Sequence, residues 1–180
     1  GDAFASQNTY ERPDRIAPAP DGSFYVLERE RKRVSHVTAD GRVLAVLTPN
    51  AGQGNLAKPV DMAVDALGRL YVLDQEFSPR VVRFANDRFD TVLSVLGTSP
   101  YMSQPKAISV TGDTVAVIGQ SAGAGLTVYR MDLRGQRIGQ AVVAETAYEP
   151  LWSVDAALGT NDRLFALSAG GTPAVSGVDF

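Results

Sequence analysis

The side chains able to do chemistry are few and unevenly spread. Histidine occurs once, as His36, and cysteine not at all. That excludes thiolate chemistry, disulfides, Cys/His zinc centres and iron–sulfur clusters. Ser35 precedes His36, but neighbours on a strand point to opposite faces, and no motif supports a Ser-His-Asp triad. Asp61, Asp65 and Asp74 offer oxygen ligands of the kind Ca²⁺ takes. No Asp-x-Asp-x-Asp-Gly string accompanies them, and the same residues suit turns and strand ends. The glycines of Gly119-Gln120-Ser121-Ala122-Gly123-Ala124-Gly125 are followed by neither Lys-Ser/Thr nor a helix. They read as a loop between strands, not a phosphate cradle.

What remains is recognition chemistry. Glu28-Arg29-Glu30-Arg31-Lys32-Arg33 is an unbroken charged run. It reads either as a solvated turn of mixed sign or as a contact for an anion or acidic partner through Arg29, Arg31 and Arg33. Tyr10, Phe77, Tyr101, Tyr148 and Trp152 fall in or beside the segments between apolar runs. Tyr and Trp anchor protein interfaces; they also pack loops against strand ends. A net charge of −3 argues against a general nucleic-acid binder.

The elements that must position these residues follow from a repeat. Pro13, Pro59, Pro105 and Pro150 are spaced by 46, 46 and 45 residues. Each opens the same phrase: an apolar strand, a Gly/Asp/Asn turn, and a second apolar strand such as Phe24-Tyr25-Val26-Leu27 or Leu70-Tyr71-Val72-Leu73. A third run recurs every 47 residues, as Arg33–Val37, Arg80–Phe84, Thr127–Met131 and Ala174–Val178, and the first three are followed by a turn and a fourth run. Each unit is therefore predicted to hold four short antiparallel strands, a to d. Strands b and d are continuously apolar, as expected where both faces are buried. His36 shares its place on strand c with Arg83 and Arg130, which predicts a solvent-facing histidine. No window of helical length escapes a Gly or Pro, so helix should be scarce.

Four strands in about 46 residues is the size of one propeller blade. The phrase Pro59-Val-Asp-Met-Ala-Val-Asp65, Gly68, Leu70-Tyr-Val-Leu-Asp74, Arg80-Val-Val-Arg-Phe84 resembles the NHL repeat and its relatives among six-bladed β-propellers. The resemblance covers nearly the whole chain. It is strongest in the second unit and weakest in the third and fourth, where the strand b aspartate is missing. It implies an all-β propeller of about four blades, either a closed small ring or part of a larger one. As a family it spans scaffolds, peptide binders, RNA binders and some enzymes.

The expected organisation is one domain, 1–180, with repeats 13–58, 59–104, 105–149 and 150–180. The fourth unit ends after its strand c, and residues 1–12 could supply the missing outer strand. Otherwise another chain would complete the ring or its edge. The b–c and d–a segments should share one face, richer in loop than the other and carrying the charged run and the aromatics. Function collects on such loops. The expected function is non-enzymatic: a scaffold binding another protein, as part of a larger assembly. The alternatives are a Ca²⁺-dependent propeller hydrolase or lactonase, and a carbohydrate or small-ligand binder. No cofactor, nucleic acid or membrane span is expected, since no apolar run is long enough to cross as a helix. Gly1-Asp2-Ala3 does not read as a signal peptide, and a start without methionine fits a processed, fragmentary or engineered chain. The lack of cysteine fits an extracytoplasmic location.

Overall fold

The computed structural model describes residues 10, 12–47, 55–75, 79–95, 102–121, 125–144, 153–158, 164–169 and 174–178. Strands β1 (Arg15–Pro18), β2 (Phe24–Glu28), β3 (Arg33–Val37) and β4 (Val43–Leu47) form the first sheet. The second holds β5 (Pro59–Val64), β6 (Leu70–Gln75), β7 (Pro79–Ala85) and β8 (Arg88–Val95). The third holds β9 (Met102–Thr111), β10 (Thr114–Ser121), β11 (Gly125–Asp132) and β12 (Arg137–Ala144). β13 (Ser153–Leu158), β14 (Leu164–Ala169) and β15 (Ala174–Val178) make the fourth. Within each sheet every strand pairs antiparallel with its neighbours in sequence. No helix occurs among the described residues.

The first strands of successive sheets touch: β1 meets β5, β5 meets β9, and β9 meets β13. Strand a is thus inner and strand d outer. Alternation along β6 shows how the sheets stack. Leu70 and Val72, with Met62 of β5, enter a core shared with Leu27 and Val34 of the first sheet. Tyr71 and Leu73, on the other face, enter a core shared with Ile108, Val115, Val117 and Tyr129 of the third. A period of two with both faces apolar is what a strand sandwiched between neighbours requires. The second sheet is therefore covered on both sides.

Strands b are continuously buried in the first three sheets, as expected. Strands d are not: Leu44 is 44% exposed and Ile138 52%. The outer strand has a partner along one edge only, and its side chains lie beyond the packed centre of the stack.

Two tight turns set side chains used below. Asp65 closes the β5–β6 turn by accepting the N–H groups of Leu67 and Arg69, both at 2.9 Å, while Gly68 takes the left-handed conformation (φ 76°). The β7–β8 turn is the two residues Asn86 and Asp87, both at positive φ (50° and 59°). That is the mirror-image hairpin turn matching strand twist, and Asn and Asp tolerate it.

The third sheet departs from the repeat. β9 begins at Met102, before Pro105, and its register shifts opposite Ile118/Gly119 and Gln120/Ser121. Pro105 thus sits beside a bulge, where a missing N–H costs little. Gly119 to Ser121 belong to β10 and Gly125 to β11, so these parts of the predicted glycine-rich loop are strand. Gly119 has a steric cause: a Cβ there would meet the Gln104 carbonyl oxygen, with Met102 Sδ at 2.7 Å and Pro105 Cα at 2.8 Å. Two of these are backbone atoms that cannot swing aside. Gly119→Ala is expected to cost at least about 2 kcal/mol by overpacking, read by urea denaturation. An unchanged midpoint would refute the close approach.

Candidate functional site

At the inner edge a single carboxylate joins three sheets. Asp61 on β5 is buried, and Oδ1 accepts the Nε of Arg15 on β1 at 3.2 Å. Its Oδ2 accepts the backbone N–H of Ile108 on β9 at 3.0 Å. At the b–c corners a second device repeats. Glu28 and Arg33, ladder partners on β2 and β3, form a buried ion pair, Nε to Oε2 at 2.7 Å. Asp74 and Arg80 repeat it on β6 and β7, Nε to Oδ2 at 3.1 Å. Asp74 also accepts the N–H groups of Ala57 and Lys58, at 3.1 and 2.7 Å, which pins the segment entering β5. Asp65 and Asp74 thus cap turns and strand ends, while Asp61 bridges sheets. Each carboxylate is engaged by arginine and backbone N–H, and no group of three metal-ligating carboxylates or histidines occurs among the described residues.

The charged run is not a uniformly solvated turn. Its ends, Glu28 and Arg33, are buried against each other, so Arg33 holds the corner rather than facing outward. Between them Arg29 to Lys32 make a tight turn, with the Lys32 N–H donating to the Arg29 carbonyl at 3.0 Å and Lys32 in the left-handed region (φ 52°). Glu30 meets Arg12 in an exposed pair at 2.9 Å. Arg29 donates its backbone N–H to Asp14 Oδ2 at 2.8 Å. Its guanidinium is half-buried and its Nε has no hydrogen-bond partner among the described residues. Burial and the neighbouring Arg15 hold it below the ordinary arginine pKa. Arg31 is half-buried on the same turn. Arg33 lies 5.9 Å from the centroid of the Tyr10 ring. Phe77, Tyr101, Tyr148 and Trp152 lie outside the described residues, as does the segment 1–12 apart from Tyr10 and Arg12.

The opposite face, with the tight turns, carries a site the sequence did not announce. His36 is not solvent-facing: its ring stacks on Tyr25, centroids 4.2 Å apart and planes 15° apart. Nδ1 lies 2.9 Å from Asp87 Oδ2, and Nε2 2.7 Å from Ser23 Oγ. Tyr25 donates its hydroxyl to Asp87 Oδ1 at 3.0 Å, and Ser23 donates its own to Asp21 Oδ1. Burial and the Asp87 charge push the Tyr25 hydroxyl well above its ordinary pKa. The Ser23 hydroxyl holds the Asp21 carboxyl low. Serine, histidine and aspartate stand in relay order, but Ser23 is buried and its single proton is directed to Asp21. It is no nucleophile facing a substrate. Next to the network lies a cleft of about 420 Å³, lined by Ala19, Pro20, Asp21, Tyr25, His36, Leu67, Asn86 and Asp87 with Ala66 and Gly68. The signal that could have found it is the ladder: Tyr25 opposes His36 as Tyr71 opposes Arg83.

Four radial-type sheets joined at their inner strands are matched by solved structures. A gluconolactonase from Xanthomonas campestris superposes with TM-score 0.66 at 17% identity, over 93% of this chain and 58% of its own. The chain is a β-propeller. An inactive virginiamycin B lyase from Staphylococcus aureus, solved with quinupristin, gives 0.61 at 14% identity, over 95% and 58%. A chain of the nidogen/laminin complex gives 0.64 at 12%, over 93% and 66%. The propeller described here thus spans roughly half to two thirds of the length of these proteins. No protein-family profile and no curated protein matches the sequence. Propellers so similar in fold include enzymes and binding proteins alike.

The network around Asp65 sets a pH dependence. Burial raises its pKa, but the backbone N–H and Nε of Arg69 and the hydroxyl of Tyr71, accepted at 2.6 to 2.9 Å, outweigh burial and leave it lowered. Burial first, and then the bond to Asp65, push the Tyr71 hydroxyl up to about 12. Because folding lowers the Asp65 pKa, its stabilisation is complete above the ordinary carboxylate value of about 4 and is lost as pH falls through the lower folded value. Asp65→Asn should therefore destabilise at neutral pH yet lose less on acidification than the parent. Parallel acid limbs for the two proteins, in thermal melts from pH 6 downward, would contradict this.

Proposed function

We propose that this propeller is a non-enzymatic scaffold that binds another protein, as a subunit or domain of a larger assembly, and that the partner presents acidic groups to the b–c face. The observation supporting this is Arg29. A half-buried guanidinium beside a second cation is stabilised by an incoming carboxylate. Arg31 and Lys32 on the same turn extend the positive surface. The complex-forming neighbour in the nidogen/laminin structure shows that such a fold can serve binding. On this reading the location is extracytoplasmic, consistent with a chain free of cysteine.

The test is capture from the native source on the immobilised chain, with salt elution. Arg29→Ala should weaken retention about tenfold, the factor for one lost charge-assisted hydrogen bond, and lower the eluting salt concentration. A partner held equally well by Arg29→Ala refutes the acidic contact. Turnover of lactones or esters by the purified chain, with nothing captured, refutes the scaffold.

A further inference from the structure

The boundary of the first and second blades and that of the second and third are built to the same plan but filled differently. At the boundary of the second and third blades the strand c residue is Arg83. Its NH1 donates to the Leu133 carbonyl in the next blade's c–d turn at 2.7 Å, its Nε meets Asp90, and its guanidinium carbon lies 6.0 Å from the Tyr71 ring centroid. The boundary of the first and second blades has the same parts one repeat earlier. Tyr25 stands for Tyr71, and the c–d turn of the next blade contributes Asp87. The strand c residue there is His36, which reaches less far than arginine, and beside it the cleft of about 420 Å³ opens.

The walls of that cleft suit what the sister boundary supplies from within. Asp87 already accepts from Tyr25 and His36, but a carboxylate has lone pairs for further donors. Asp21 is exposed at the rim, and Pro20 and the largely exposed Leu67 offer apolar surface. Asn86 adds an amide beside Asp87. Carboxylates for a cation, an aromatic wall and apolar flanks for an alkyl stem are the components of a basic side-chain pocket.

We propose that the cleft between the first two blades binds a guanidinium or alkylammonium group from outside the chain, in the role that Arg83 plays for the next boundary. The group enters between Asp21 and Asp87, donates to both carboxylates, and lays its stem along Pro20 and Leu67. This site lies on the opposite face from the Arg29 turn and is independent of the function proposed above.

Isothermal titration of the full chain with L-arginine amide, L-citrulline amide and the peptide acetyl-Gly-Arg-Gly-amide tests it. Arginine amide should bind saturably with a Kd of about 1 mM or tighter, and the isosteric but neutral citrulline at least about tenfold more weakly. A tighter peptide identifies a side chain of a protein as the natural source; equal affinity identifies a small cation. His36→Arg, which gives this boundary its own guanidinium, should abolish binding with no loss of thermal stability. Asp87→Gly keeps a residue suited to the left-handed turn while deleting the carboxylate, and should weaken binding at least about tenfold. The exposed Asp21→Asn does not threaten folding and should weaken it too. No saturable binding, equal binding of citrulline, or undiminished binding by His36→Arg or Asp21→Asn would overturn the proposal.

Discussion

A buried carboxylate is stable only when something positive or donating meets it, and Asp61 meets its need from two other blades. Arg15 comes from the blade before and the Ile108 N–H from the blade after. Removing Arg15 would weaken the compensation of a buried charge, and breaking a buried pair costs more than the pair itself contributes. The spacing of three inner strands is thereby fixed, and everything further out inherits it. The same bond places Arg15 beside Arg29 and so sets the electrostatic character of the turn above it.

The outer positions show how a repeat tolerates exchange. The corner pair Glu28–Arg33 returns as Asp74–Arg80, a shorter acid with a further duty at the entering segment. One blade on, the acid's place is taken by Gly119, against which the bulged inner strand packs directly, and Thr127 stands where the arginine did. Burying an ion pair and pressing backbone on backbone are alternative ways of closing one corner. The histidine–arginine exchange on strand c is of the same kind, except that there the smaller side chain leaves a cleft.

The blades were legible because proline, turn residues and apolar runs recur at one period, and each marks a local event. The strands around Phe24, Leu70, Val115 and Leu164 fall where the pattern put them. What the pattern missed is tertiary. Leu44 and Ile138 look as apolar as Leu73, and only their place on the outer strand exposes them. The run of charges from Glu28 to Arg33 gives no hint that its ends are ladder partners across a turn and therefore buried together. In sequence His36 reads as exposed because its sisters are arginines, and arginines read as exposed because of their charge. In fact long polar side chains at this register reach across to the next blade, where Asp87 and Leu133 receive them. Asp87 could be recognised in sequence as a turn residue, but its second role depends on a neighbour 51 positions away.

Because each strand hydrogen-bonds only to those adjacent in the chain, no sheet has to wait for a distant segment before its ladder can close. Pairing of this kind carries a small loop-closure penalty. A polypeptide leaving the ribosome could complete one meander before the next is made, each finished blade offering an apolar face on which its successor condenses. Growth would then run from each blade to the next in the order of synthesis, with bonds such as His36 to Asp87 and Asp61 to Ile108 made only once the later blade has emerged.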